Sequence, residues 1–115
     1  MRILTGAGGY TSPTGSAPNY YVEHLSVPDL SVGTYSIPAG GVDDQTAHTE
    51  DEIYAVTAGR ARIVTSDGTA DVGPGDVIFV PAGEEHRFVD IAEDLALLVV
   101  FAPAYKSRSR PATST

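Results

Sequence analysis

The sequence of 115 residues contains no cysteine and no tryptophan, and only seven of its residues are lysine or arginine. The absence of cysteine excludes a disulfide framework, thiol catalysis and a zinc finger built on thiolates. The longest apolar stretch, residues 95–103, is about half as long as a transmembrane helix. Glycines interrupt the first nine residues before a signal-peptide core can form, so we expect a cytoplasmic protein without a membrane partner.

The charges are unevenly distributed along the chain. The formal net charge is −8, and all fifteen acidic residues lie between Glu23 and Asp94, where the only basic residues are Arg60, Arg62 and Arg87. An acidic surface of this kind repels polyanions, so we expect no nucleic-acid partner. It suits a small neutral or cationic ligand, or it serves only solubility.

Short segments rich in valine, isoleucine, tyrosine, phenylalanine and threonine alternate with turn sequences, and no window shows a sustained apolar repeat of helical period. Strands are predicted at Tyr20–Val27, Leu30–Ile37, Glu52–Ala58, Ala61–Ser66, Thr69–Val72, Val77–Val80, His86–Asp90 and Leu95–Phe101. Many short strands at regular spacing predict an all-β sandwich or closed barrel, and the length supports a single domain.

The two ends of the chain lack an alternating apolar pattern. Residues 1–19 are predicted to form an arm or loop, residues 20–103 a barrel, and residues 104–115 a flexible tail. The segment Leu95–Phe101 is apolar on both faces, so its outer face needs a cover. A second subunit or a chain-terminal arm would supply one, and we expect a homodimer.

Two of the three histidines stand in spaced patterns with a carboxylate. The first pattern consists of Gly40, His48, Glu52 and Gly59, and the second of Gly75, Pro81, Gly83, His86 and Asp90. Taken singly, His48 is explained as a solvated loop residue, Glu52 as part of an acidic edge and His86 as a strand histidine. The third histidine, His24, is interpreted as a surface or interface residue.

Strand alternation predicts where these side chains point. Glu52 and Tyr54 share one face of their strand, and His86 and Phe88 share one face of theirs. If these faces are interior, a carboxylate lies inside the barrel, where it is costly without a partner. A divalent metal ion removes that cost, and two histidines with one carboxylate form a ligand set that leaves open positions on the ion. A metal site therefore explains His48, Glu52 and His86 together.

At these spacings, residues 20–103 resemble the cupin superfamily, whose members are small antiparallel jelly-roll barrels. Asp90 stands where the second cupin motif usually has asparagine, and Thr46 stands where the first motif has an additional histidine. The resemblance implies a divalent transition metal: iron, manganese, nickel, cobalt or zinc. Beside Thr46, the side-chain carbonyl of Gln45 is a candidate fourth ligand, and water is the alternative.

The resemblance implies a metal-dependent enzyme that acts on a small molecule by dioxygenase, isomerase, lyase or cyclase chemistry. Within the predicted pocket, Glu52 and Tyr54 are the only candidates for acid–base catalysis. Tyr35, Tyr54 and Phe88 are candidate pocket-lining aromatics. Two alternatives stay open: a metal- and ligand-binding or sensing module without turnover, and a metal-free structural barrel.

Overall fold

A computed structural model describes residues 1–107 and shows, in this range, eight β-strands and no helix. The strands are β1 (Tyr20–Val27), β2 (Leu30–Ile37), β3 (Asp51–Ala58), β4 (Ala61–Thr65), β5 (Gly68–Val72), β6 (Val77–Val80), β7 (His86–Val89) and β8 (Leu95–Ala102). Every predicted strand is present with bounds within one residue. Accordingly, residues 1–107 contain no helix long and apolar enough to span a membrane.

The strands form two antiparallel sheets. One has five strands in the order β1-β2-β8-β3-β6, and the other has three in the order β5-β4-β7. The buried core combines side chains from both sheets: Tyr35, Ile37, Tyr54, Val56, Ile63, Phe88, Leu95, Leu97, Val99 and Phe101. The predicted all-β, single-domain barrel of the jelly-roll type is confirmed.

Strand β8 is apolar on both faces because it lies in the middle of the larger sheet. It pairs with β2 on one side and with β3 on the other. Its inward side chains, such as Leu97 and Val99, are fully buried, and the outward Leu98 and Val100 are half-buried. The outer face of this sheet therefore carries apolar surface beyond what the core needs.

The N-terminal segment covers part of this outer face. The backbone N–H of Gly8 donates to Oγ1 of Thr34 at 2.8 Å, and that of Thr11 donates to Oγ of Ser36 at 3.0 Å. The hydroxyl of Thr57 donates to the carbonyl of Gly8. The N-terminal arm is thus one cover for the outer face of the larger sheet. It is one of the two covers that the sequence analysis left open.

The C-terminal prediction needs a correction, because residues 104 and 105 are not tail. Ala104 is buried, and the N–H of Tyr105 donates to Oγ of Ser31 at 2.9 Å. This docking joins residues far apart in the sequence, which a search for local alternation does not detect. Residues 108–115 of the predicted tail lie outside the described range.

The motif positions Gly59 and Asp90 have physical explanations in the backbone. Gly59 ends β3 with φ of +84°, and a Cβ there would lie 2.2 Å from the carbonyl oxygen of Asp94. Asp90 has φ of 51°, a left-handed conformation that asparagine and aspartate tolerate better than most residues. This preference accounts for an aspartate where the cupin motif usually has asparagine.

Gly59→Ala should destabilise the fold more than Gly75→Ala. Both glycines have positive φ, so alanine at either position loses about 1–2 kcal/mol to backbone strain. At Gly75 a Cβ meets nothing within 4 Å, whereas at Gly59 it meets a backbone carbonyl, which should raise the loss to about 4 kcal/mol. Urea denaturation measures both values, and equal losses would contradict the steric explanation.

Candidate metal centre

Three side chains from separate parts of the chain meet at one end of the barrel. Glu52 projects from the start of β3, His86 from the start of β7, and His48 from the loop between β2 and β3. One ligand atom from each can be chosen so that all lie within 4.8 Å of one another. The structure thus brings together the three residues for which the sequence predicted a common site.

The loop before β3 and the turn before β7 are hydrogen-bonded to each other. The N–H of Gly83 donates to the backbone carbonyl of His48 at 2.7 Å. The N–H of Ala82 donates to Oδ1 of Asp51 at 2.9 Å. These bonds hold the two sequence motifs in a fixed relation, which places His48 and His86 beside Glu52.

Glu52 is 2% exposed, and neither of its carboxylate oxygens accepts a hydrogen bond from the described residues. Its Oε1 lies 3.1 Å from Nε2 of His86 and 3.9 Å from Nε2 of His48. Two ligands held at about 2.1 Å from one ion are about 3 Å apart at right angles and about 4 Å apart when opposite. Both distances from Oε1 fall in this range, so the cluster could hold a divalent metal ion.

The hydrogen bonds of His86 determine which ring nitrogen is free to ligate. Nδ1 lies 2.9 Å from the backbone carbonyl of Glu84, so it carries the proton that makes this bond. In the neutral ring, Nε2 is then an acceptor, and the hydroxyl of Tyr54 donates to it at 2.9 Å. Burial lowers the pKa of His86, but the Glu52 carboxylate and the Glu84 carbonyl outweigh this and raise it above the ordinary value.

His48 has the opposite electrostatic balance. Burial lowers its pKa, and this effect outweighs the neighbouring Glu52 carboxylate, so the ring is neutral at pH 7. Its Nε2 lies 2.7 Å from the side-chain carbonyl oxygen of Gln45. Gln45 thus lies beside the three-residue cluster, whereas Thr46, at the position of the missing motif histidine, is exposed.

The remaining candidates occupy different places. Tyr54 is fully buried beside His86, and burial together with Glu52 raises its pKa well above the ordinary value. Its hydroxyl therefore stays protonated at neutral pH and acts as a hydrogen-bond donor. His24 does not contact the cluster through this bond: its Nε2 lies 2.6 Å from Oγ1 of Thr34, a residue outside the cluster.

A cavity of about 110 Å³ adjoins the cluster. It is lined by Asn19, Tyr21, Tyr35, Gln45, His48, Glu52, Val99, Phe101 and Tyr105. Of the three aromatics predicted from sequence, Tyr35 lines this cavity, while Tyr54 and Phe88 belong to the packed core. Sequence patterns do not indicate that Tyr21 or Tyr105 lines the cavity, because neither belongs to a motif and Tyr105 follows the last strand.

Asp43 is a further residue of the site that the sequence did not single out. It is 1% exposed, and its carboxylate accepts hydrogen bonds from the Tyr35 hydroxyl at 2.9 Å, the Gln45 N–H at 3.1 Å and the Phe88 N–H at 2.9 Å. One side chain thus connects the cavity wall, the loop that carries Gln45 and His48, and the strand of His86. The Asp43-Asp44 pair resembles any solvated acidic segment, so the local sequence carries no signal for this role.

Asp43→Asn should lower metal affinity by about tenfold, the loss usual when a residue that orients metal ligands is altered. The amide keeps the size of the carboxylate, but it turns a donor towards groups that are themselves donors. Calorimetric titration with Co²⁺, under conditions where the variant is fully folded, measures the effect. Asp44→Asn is the matched control, because Asp44 is exposed and bonds the side chain of Asn19. Equal affinities in the two variants would contradict the role of Asp43.

Comparisons with known proteins identify the family and agree with the fold. The cupin domain family model matches residues 33–101, more than half of the chain. The uncharacterized protein SCO3923 from Streptomyces coelicolor is 46% identical over 83 residues, which cover 72% of this chain and 79% of that protein.

Among solved structures, KdgF from Halomonas sp. has a TM-score of 0.69 at 19% identity, covering 80% of this chain and 85% of that one. The DMSP lyase DddQ from Ruegeria pomeroyi has a TM-score of 0.70 at 20% identity, covering 89% and 54%. These structural likenesses concern the fold, and the family match establishes that the chain belongs to the cupin domain family.

Proposed function

We propose that this protein binds a divalent transition metal ion through His48, Glu52 and His86 and acts on a small molecule in the adjacent cavity. The observation that carries the proposal is the Glu52 carboxylate, which is buried between two imidazole rings and accepts no hydrogen bond from residues 1–107. A divalent ion would offset the desolvation of this carboxylate. Two histidines and one carboxylate suit iron, manganese, nickel, cobalt or zinc and leave open positions for a ligand.

Gln45 is the residue that we propose as a fourth protein ligand. Its side-chain carbonyl oxygen lies 2.7 Å from Nε2 of His48, near the separation of about 3 Å expected for neighbouring ligands on one ion. The exposed Thr46 is less suitable, since its hydroxyl is a poor ligand for a transition metal. Water is the alternative occupant of the fourth position.

The bound ion would supply Lewis-acid polarisation of a ligand oxygen, or oxygen activation if it is iron. Ligation through Nε2 of His86 would deprive the Tyr54 hydroxyl of its present acceptor. Tyr54, whose raised pKa keeps its hydroxyl protonated, would remain a hydrogen-bond donor in the core beside the site. We accordingly assign Tyr54 the role of a hydrogen-bond donor and Glu52 that of a ligand, within dioxygenase, isomerase, lyase or cyclase chemistry.

The cavity favours a neutral or cationic small ligand. None of its lining residues is lysine or arginine. Its lining includes the Glu52 carboxylate, and the buried Asp43 carboxylate accepts a hydrogen bond from the lining residue Tyr35. An anionic substrate would thus find carboxylates and no lysine or arginine in the wall, and a nucleic acid would be repelled by the acidic surface.

The second candidate function is metal and ligand binding without turnover. It is favoured because neither candidate acid–base residue is a free base: Glu52 would serve as a ligand, and the raised pKa of Tyr54 keeps its hydroxyl protonated. Turnover of a candidate compound by the metal-loaded protein separates the two functions. The cytoplasmic location expected from the N-terminal residues stays a prediction.

Protein purified without added metal should contain about one equivalent of a divalent transition metal per chain by elemental analysis. His86→Ala should lose it, because the change removes a nitrogen ligand held by the Pro81–Gly83 turn. His24→Ala is the matched control and should keep it, since His24 bonds Thr34 away from the cluster. Retention of wild-type metal content by His86→Ala would refute the proposed site.

We also propose that the chain forms a homodimer through the outer face of its larger sheet. Ile53 and Phe79 are paired neighbours there, and together with Val77 they are 40%, 61% and 67% exposed. They form an exposed apolar patch, and such patches mark sites of protein–protein contact. A second copy is therefore the occupant that we assign to this face.

Sedimentation equilibrium tests the dimer. The wild-type chain should sediment as a dimer and Phe79→Ser as a monomer, because the change removes the largest exposed side chain of the patch. Val64→Ser is the control, since Val64 is an exposed valine on β4 of the other sheet. A monomeric wild-type chain, or a dimeric Phe79→Ser chain, would contradict this assignment.

A further inference from the structure

The segment after β8 is docked against the turn between β1 and β2. The N–H of Ala104 donates to the carbonyl of Pro28 at 3.4 Å, and the N–H of Tyr105 donates to Oγ of Ser31 at 2.9 Å. Ser31 is itself fully buried. The backbone of Tyr105 is thus fixed at the edge of the barrel, next to the candidate metal centre.

The ring of Tyr105 forms one wall of the cavity. It stacks on Phe101 with ring centroids 4.4 Å apart and an interplanar angle of 17°. It stands nearly perpendicular to the rings of His48, at 5.3 Å and 85°, and Tyr21, at 5.9 Å and 71°. Tyr105 therefore contacts a candidate metal ligand directly and lines the space beside it.

This wall comes from outside the part of the chain that matches the family. The match spans residues 33–101, which include His48, Glu52 and His86, whereas Asn19, Tyr21 and Tyr105 lie beyond it. The metal-binding residues thus belong to the shared domain, and flanking segments shape the space that a ligand would enter. Tyr105 is the flanking residue whose ring contacts both His48 and Phe101.

We propose that Tyr105 is a specificity-determining residue that limits the size of the ligand able to reach the metal centre through this cavity, an inference that rests on the proposed metal site. The cavity of about 110 Å³ is small compared with ligand pockets of about 300–1,000 Å³. The aromatic ring supplies the barrier, so phenylalanine should preserve it. Tyr105→Ala should enlarge the cavity by the space that the ring occupies.

The experiment uses the full chain loaded with Co²⁺ and two probes that ligate an open metal position, imidazole and 4-phenylimidazole. Their affinities are obtained from changes in the visible absorption spectrum of cobalt. The wild-type protein should prefer imidazole by about tenfold or more, as expected when a pocket must reject added bulk. Tyr105→Phe should keep this preference, and Tyr105→Ala should reduce it to about threefold or less.

Two further variants exclude indirect explanations. Tyr20→Ala removes a tyrosine that is 40% exposed on β1 and absent from the cavity wall, so it should keep the wild-type ratio. Tyr105→Leu retains apolar packing on Phe101 if the alanine variant fails to fold, and it should also lower the ratio. Circular dichroism verifies that each variant is folded.

The outcomes separate this inference from the proposed function. If the wild-type chain gives no spectrum of protein-bound cobalt, the proposed metal site is refuted, and this inference with it. If cobalt binds but Tyr105→Ala and Tyr105→Leu discriminate between the probes as the wild-type chain does, the role of Tyr105 is overturned while the metal site stands.

Discussion

The burial of the Glu52 carboxylate is the constraint on which the rest of the site depends. A carboxylate inside a barrel loses its hydration, and without donors or a cation this loss is a direct cost to folding. Here the side chain is 2% exposed, with two imidazole nitrogens 3.1 Å and 3.9 Å from the same oxygen. The fold thus holds an anion where a cation would be stabilised, beside two imidazole rings and at the edge of a cavity.

Asp43 shows that this barrel can satisfy a buried carboxylate when the role is structural. Its two oxygens accept three hydrogen bonds, from the Tyr35 hydroxyl and from two backbone N–H groups. Glu52, equally buried, receives none from the described residues. The difference between two carboxylates in one small protein is the physical basis for assigning a metal ion to Glu52 and a positioning role to Asp43.

The strands and the three-residue cluster could be predicted because both follow from local patterns. Side chains alternate along a strand, so Glu52 with Tyr54 and His86 with Phe88 had to share faces, and burial of all four places those faces inside. The turn residues Pro81 and Gly83 then determined where β7 begins. Strand bounds within one residue of expectation reflect the same period and the same turn chemistry.

The structural features that could not be predicted from the sequence depend on contacts between residues that are far apart in the chain. Tyr105 follows the last strand, and its place in the cavity wall depends on Ser31 and Phe101. Asp43 gains its role from Phe88, 45 residues away. The N-terminal arm likewise docks through Gly8 on Thr34 and Thr57 of the large sheet. None of these contacts leaves a periodic or motif-like trace, so a single sequence does not reveal them.

The most direct test of the central claim compares the free energy of unfolding of the wild-type chain and Glu52→Met, each with a chelator and with saturating Co²⁺. With the chelator, Glu52→Met should be more stable by about 1–3 kcal/mol, because an apolar side chain of similar size replaces a carboxylate that is buried without a hydrogen bond from the described residues. With Co²⁺ the order should reverse, since the ion binds the folded wild-type chain and stabilises it by mass action. A wild-type chain that is the more stable of the two with the chelator, and that does not respond to Co²⁺, would contradict the account.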